Sequence, residues 1–184
     1  AQLNYRPTKR AEFYVRYRQE NKEMSETQEF VSFLVPTLKR SYRVNASFPI
    51  SESFTLKSRA EYLTYQEGSG EQRDGFLIYQ DINFRKPGSK LDFSARYALF
   101  DTDTYDERIY AYENDVLYGY SIPGLYSKGS RMYLLVRWSA SRHLDFWARI
   151  AHTNYVNKDV VGSGLEEIKG PSKTELKLQM RVTF

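Results

Sequence analysis

The sequence predicts an all-β protein: a transmembrane antiparallel up-and-down β-barrel of eight or more strands, here part of a larger barrel. Three observations predict it. Apolar and polar residues alternate in segment after segment, ending in Glu175 to Phe184, where Leu176, Leu178, Met180, Val182 and Phe184 alternate with Lys177, Gln179, Arg181 and Thr183. A period of two separates the two faces of a strand. The segments also run to about ten residues, near the 9–11 that a tilted strand needs to cross a bilayer. Finally, the connections are alternately short and long, as in barrels with brief periplasmic turns and longer extracellular loops. Mean hydropathy is −0.65, and no run reaches the ~18 consecutive apolar residues of a membrane-spanning helix. A barrel tolerates that polarity, because each strand hides its lipid face in alternation with a polar interior.

Residues 1–6 read as the end of a strand, with Ala1, Leu3 and Tyr5 on one face, followed by a turn at Pro7 to Lys9. Residues 10–20 set Ala11, Phe13, Val15 and Tyr17 against Glu12, Tyr14, Arg16 and Arg18. A polar loop is expected over 21–37. Strands follow at 38–50 (Tyr42, Val44, Ala46 and Phe48 outward), at 54–65 (Phe54, Leu56, Ala60 and Tyr62) and at 74–86 (Phe76, Ile78, Ile82 and Phe84). Pro87-Gly88 is a turn signal. Residues 90–100, 130–139 and 144–156 alternate in the same way, and a Gly-rich loop, 157–171, precedes the last segment.

Strand parity constrains the rest. If the last strand ends on the periplasmic side, 101–129 holds no spanning strand or an even number, and it is read as one long extracellular excursion, a hairpin extending the wall. Residues 1–6 then descend, so 1–184 is expected to be the carboxy-terminal portion of an outer-membrane barrel, with long extracellular loops near 21–37, 101–129 and 157–171. The rival expectation is a complete eight-stranded barrel whose first residues are a tail.

The face opposite the apolar one is strongly charged. Arg16, Arg18, Arg43, Lys57, Arg59, Glu61, Asp81, Arg85, Arg96, Arg131, Arg137, Asp145, Arg149, Lys177 and Arg181 are expected to line the lumen. Buried charges must be paired, so one reading is cross-strand bracing; the other is a hydrated, anion-favouring passage. Tyr17, Tyr62, Trp138 and Tyr155 suit interfacial aromatic girdles. The net charge of +4 is spread along strands and not gathered into a Lys/Arg block, so nucleic-acid binding by this part is not expected. Without cysteine there is no disulfide or thiolate metal site. Two histidines make no His-rich metal centre. A carboxylate calcium loop at Asp101, Asp103, Asp106 and Glu107 is set against an ordinary exposed acidic loop, and no metal or other cofactor is expected. His152 is a candidate rim catalyst of lipid chemistry. It shares the phase of Leu144, Phe146, Ala148 and Ile150, with no Ser two residues on and no acidic orienter, so a girdle role is expected. His143 falls in a turn.

The terminal stretch resembles the insertion signal of bacterial outer-membrane barrels, with Leu178, Met180, Val182 and Phe184 as its apolar positions. Residues 95–131 (ARYALFDTDTYDERIYAYENDVLYGYSIPGLYSKGSR) and 161–184 (VGSGLEEIKGPSKTELKLQMRVTF), with weaker similarity at 13–23 and 77–85, resemble the carboxy-terminal region of a Gram-negative outer-membrane barrel family. Longer members of that family carry amino-terminal helix–hairpin–helix repeats. The resemblance implies a bacterial outer-membrane location, with lipid and lipopolysaccharide around the wall and the barrel-assembly machinery engaging the terminal strand. The repeats themselves have no counterpart in these residues. The function expected is a non-enzymatic transport or translocation barrel with a net-basic lumen. Its alternatives are a structural or scaffold subunit with protein partners in an outer-membrane complex and, more weakly, an outer-membrane lipid-modifying enzyme.

Overall fold

The computed structural model describes residues 1–28, 31–162 and 164–184. The strands are β1 (Gln2–Thr8), β2 (Ala11–Gln28), β3 (Val31–Pro49), β4 (Phe54–Glu67), β5 (Arg73–Phe84), β6 (Leu91–Thr102), β7 (Ile109–Tyr110), β8 (Gly124–Leu125), β9 (Gly129–Ser141), β10 (Leu144–Tyr155), β11 (Val160–Val161), β12 (Ile168–Lys169) and β13 (Ser172–Val182). One 3-10 turn, Gly164–Glu166, is the only helical element among the described residues. Nine strands form a single antiparallel meander in the order β1-β2-β3-β4-β5-β6-β9-β10-β13, while β7-β8 and β11-β12 are separate two-stranded ribbons.

Local chemistry sets the turns at one end. The Thr8 hydroxyl accepts from the Ala11 amide at 3.1 Å, closing β1 onto β2. The Ser51 hydroxyl accepts from Phe54 at 3.1 Å before β4. Gly88 supplies the positive φ (78°) between β5 and β6, a conformation open to glycine.

Among the described residues the sheet does not close. An odd number of antiparallel strands leaves β1 and β13 running in the same direction, so they cannot complete an antiparallel cylinder, and each is an open edge. The sheet is nevertheless rolled. Arg10, beside β2, and Arg181, on β13, border one cavity of about 810 Å³, although their strands would lie about 34 Å apart on a flat sheet.

Two expectations about loops fail. Residues 21–28 and 31–37 are not a loop but strand, and 29 and 30 lie outside the described residues: β2 and β3 stay in register from Glu12↔Ser47 to Gln28↔Val31. An antiparallel ladder satisfies its own backbone and needs no apolar face where both sides meet water. Pro36 is tolerated there because its carbonyl, and so its missing N–H, points to the β4 side, where Gly68 donates to it beyond the last rung, Thr37↔Glu67. Nor does the 103–128 excursion extend the wall. It folds back over the polar face of the sheet, where Ile109, Ala111 and Leu125 pack with Leu63, Leu77, Phe100 and Tyr155 in the apolar core. Gly75 makes room for this: a Cβ there would meet Thr102 Cγ2 at 2.9 Å and Glu107 at 3.4 Å.

Candidate functional site

Register decides which side chains share a face. Arg16 pairs with Arg43 and Arg43 with Glu61; Lys57 pairs with Asp81 and Asp81 with Arg96; Arg149 pairs with Lys177, and Asp145 with Arg181. Carried across the sheet, this pairing sets Arg16, Arg18, Arg43, Lys57, Arg59, Glu61, Asp81, Arg96, Arg131, Arg137, Asp145, Arg149, Lys177 and Arg181 on one face. Arg85 follows β5 in the same phase, at the border of the 810 Å³ cavity.

Much of that charge is paired. Arg96 makes a two-pronged contact with Asp81, at 2.5 and 2.8 Å, and stacks on the Tyr79 ring. Arg43 and Arg59 share Glu61. Asp145 holds both Arg137 and Arg181, and the Ser139 hydroxyl donates to it.

The remaining partners come from the excursion. Six consecutive residues, Tyr110 to Asp115, meet side chains from β4, β6, β9, β10 and β13. Arg59 donates to the Tyr110 carbonyl at 3.2 Å and Arg96 to the Tyr112 carbonyl at 2.8 Å. Glu113 takes both prongs of Arg131, at 2.7 and 2.9 Å, and also pairs with Arg149. Lys177 reaches Asp115 at 2.5 Å. Asn114 donates from its side-chain amide to Ser94 at 3.0 Å. Higher up, Glu107 is fully buried, accepting from the Thr104 amide and hydroxyl at 2.7 and 2.6 Å and pairing with Arg73 at 2.9 Å. The excursion is therefore a plug lying against the polar face of the rolled sheet. Its residues Glu113 and Asp115 were missed from sequence, although one signal was present: strand cations outnumber strand carboxylates on the inward phase, and the acidic stretch 101–115 is the obvious source of the balance.

Two cavities flank the plug. The one of about 810 Å³ lies toward the short turns, bordered by Arg10, Glu52, Arg85, Arg137 and Arg181 from the wall and Tyr112, Asn114 and Asp115 from the plug. The other, about 440 Å³, lies toward the long hairpins, between β2-β3 and the plug residues Asp106 to Tyr110.

The opposite face is apolar and open. Val15, Val44, Ile78, Leu99, Leu134 and Ile150 are exposed there. Leu178, Met180, Val182 and Phe184 are 72%, 59%, 45% and 109% exposed, so the terminal stretch lies bare on this face and beyond its last strand. The apolar rows end together, at Gln19↔Arg40, Arg40↔Thr64, Thr64↔Asp74 and His152↔Thr174. His152 sits in that border, its ring Nδ1 2.8 Å from the Thr174 hydroxyl. His143 lies in the β9–β10 turn, 2.9 Å from the Thr183 carbonyl.

The four acids weighed as a calcium loop do not converge. Asp101 pairs with Lys128, Asp103 accepts from the Asp74 amide, and Asp106 and Glu107 face Arg73. Among the described residues no group of three or more potential ligands forms a metal site. The chain matches no protein-family model, no curated protein and no solved structure.

Proposed function

We propose that this chain is wall and plug of a bacterial outer-membrane β-barrel for transport or translocation, with no catalytic role. One observation carries the reading: an exposed, predominantly apolar band on one face, interrupted by the Ser58–Gln80 hydrogen bond and bounded by polar rows, behind which lies a charged and rolled interior. Apolar surface of that extent is not left bare to water without a use. From Phe54 to Tyr62 the band runs about 27 Å along the strand. At a tilt of ~40° that is about 20 Å of height, near the roughly 25 Å apolar belt of outer-membrane barrels. Aromatic pairs mark both margins: Phe54–Phe84 and Trp138–Phe146 toward the short turns, Tyr17–Tyr42 and Tyr42–Tyr62 toward the long hairpins. In this reading the short turns are periplasmic, lipid and lipopolysaccharide surround the band, the assembly machinery takes up Leu178 to Phe184, and further strands complete the wall. The resemblance to barrels whose longer members carry helix–hairpin–helix repeats agrees with it.

Transport is favoured over a purely structural role by the two cavities, which put basic cavity space on either side of one segment. The scaffold reading draws on a different observation, the density of ion pairs that fasten the plug to the wall.

The two tryptophans test the membrane reading. Trp138 is 50% exposed on the apolar face and Trp147 7% exposed on the polar one. In vesicles containing brominated acyl chains, a Trp147→Phe chain should lose fluorescence to quenching and a Trp138→Phe chain should not. Equal or absent quenching would sink the proposal. Anion-selective conductance in planar bilayers, increased when residues 108–122 are replaced by a short Gly/Ser linker, supports transport; co-purifying partners without conductance support the scaffold.

A further inference from the structure

Three cations on one cleft lack a carboxylate partner among the described residues. Arg16 on β2, Lys39 on β3 and Arg108 on the plug border the cavity of about 440 Å³. The acids of that cleft are already engaged: Glu20 by Arg18 and Lys22, Glu61 by Arg43 and Arg59, Asp106 by Arg73. Across the rest of the polar face, arginines that meet the plug find a carboxylate or a carbonyl on it. Among the described residues the 810 Å³ cavity also carries cations without a carboxylate partner, Arg10 and Arg85, but this smaller cleft gathers three.

The donors are held, and each keeps capacity. Arg108 lies over the Tyr105 ring, 4.2 Å from its centroid, and donates through Nε to the Tyr110 hydroxyl at 2.7 Å and through Nη1 to the Tyr105 carbonyl at 3.0 Å. Its Nη2 remains. Lys39 Nζ makes one hydrogen bond, 3.0 Å to the Asp106 carbonyl, leaving two of its three hydrogens. Arg16 Nε is buried without a partner, and Arg16 stands directly opposite Arg43, a like-charge juxtaposition that costs stability unless an anion relieves it.

We propose that this cleft binds a phosphoryl-bearing anion through Arg16, Lys39 and Arg108. A single carboxylate satisfies one guanidinium fork; a phosphoryl group offers several acceptor oxygens to donors arriving from different elements. Lys39 and Arg16 are four rungs apart in register, about 13 Å of strand, a gap that two long side chains narrow to the reach of a diphosphate. The proposal stands on the cleft and not on the membrane reading. A chain that binds the anion yet shows no lipid quenching would overturn the latter alone.

The test is calorimetric titration of the full chain, folded in detergent micelles, with inorganic pyrophosphate. Saturable binding is expected. Lys39→Gln and Arg108→Gln should each weaken it about tenfold, the loss of one charge-assisted hydrogen bond, while Lys86→Gln in an exposed turn removes the same charge without effect. A second arm uses vesicles of phosphatidylcholine with and without phosphatidic acid. Binding to the phosphatidic-acid vesicles alone, with the same sensitivity to Lys39→Gln and Arg108→Gln, assigns the phosphoryl group to a lipid headgroup; pyrophosphate binding assigns it to a soluble solute. No binding in either arm by the unmodified chain overturns the proposal, as does binding that both substitutions leave intact in folded protein.

Discussion

Arg149 and Glu113 form an ion pair from which water is excluded, with side chains 0% and 1% exposed. Arg149 belongs to β10 and Glu113 to the plug thirty-six residues earlier, so this contact ties the two together across the polar face. Glu113 is also the acceptor for both prongs of Arg131. That one carboxylate thus bridges two buried guanidinium groups, to which Glu175 and Asp115 add only longer contacts of 3.4 to 3.9 Å.

Glu113→Gln removes that charge and leaves both arginines. Breaking a buried pair from one side costs about 3–5 kcal/mol, so the midpoint of urea unfolding should fall, and limited proteolysis should cut within 103–128 faster than in the unmodified chain. Arg149→Met leaves Glu113 paired with Arg131 and should cost less. Equal losses would mean that the carboxylate is not shared in the way the geometry indicates.

Two glycines on the polar face separate tolerant from intolerant sites. A Cβ at Gly129 would lie 2.3 Å from the Asn154 carbonyl oxygen, a backbone atom. At Gly75 the nearest atom is the Thr102 methyl at 2.9 Å, a side-chain atom that a shift of a few tenths of an ångström relieves while the Thr102 hydroxyl stays bonded to Thr104 and Ser127. Gly129→Ala should therefore cost at least the ~1–3 kcal/mol of an overpacked core, and Gly75→Ala less, both read from chemical unfolding. Gly75→Val, reaching toward Glu107, should weaken the plug's hold and show first as faster proteolysis of 103–128.

Strand positions and faces were legible in the sequence because both depend on a local period. Leu176 to Phe184 and Phe76 to Phe84 carry it plainly, and the charged phase from Arg16 to Arg181 follows from the same alternation. The 21–37 hairpin was not legible: Asn21, Glu23 and Pro36 show no apolar phase, and what holds them is a ladder of main-chain hydrogen bonds that composition does not report. The inward turn of the plug depends on contacts between distant residues, such as Glu113 with Arg149. Its only sequence trace is a charge imbalance between segments. The rolled but open sheet depends on strand count, which one missed or added strand reverses.

Anion binding in the upper cleft should depend on alkaline pH through Lys39. This residue lies beyond the apolar band, on the hairpin extension of β3. Burial, and then the Arg108 guanidinium, pull its ammonium below the ordinary value, against the opposing pull of Glu107, Glu20 and Asp106. A lowered value means that the charged form is lost earlier as pH rises. Since an anion needs the charged form, affinity for pyrophosphate should be full at neutral pH and decline before the ~10.4 of an unperturbed lysine. Lys39→Arg should move the decline upward, because a guanidinium keeps its proton throughout that range. A profile that Lys39→Arg leaves unchanged would remove Lys39 from the site.

The apolar band can be tested by depth along a single strand. Leu178 and Thr174 both lie on the outer face of β13, Leu178 within the band and Thr174 in the border row opposite His152. If lipid covers that face, a charge at the two positions meets different surroundings. An arginine near the bilayer midplane costs a barrel about 2–4 kcal/mol, and one near the interface about 0–1. Leu178→Arg should accordingly destabilise the chain folded in vesicles far more than Thr174→Arg, as read by guanidinium titration of tryptophan fluorescence. In detergent-free buffer, by contrast, water would solvate an exposed arginine at either position and the difference would vanish. A gradient in vesicles therefore measures the lipid itself, and equal costs at Leu178 and Thr174 would mean that something other than a bilayer covers the face.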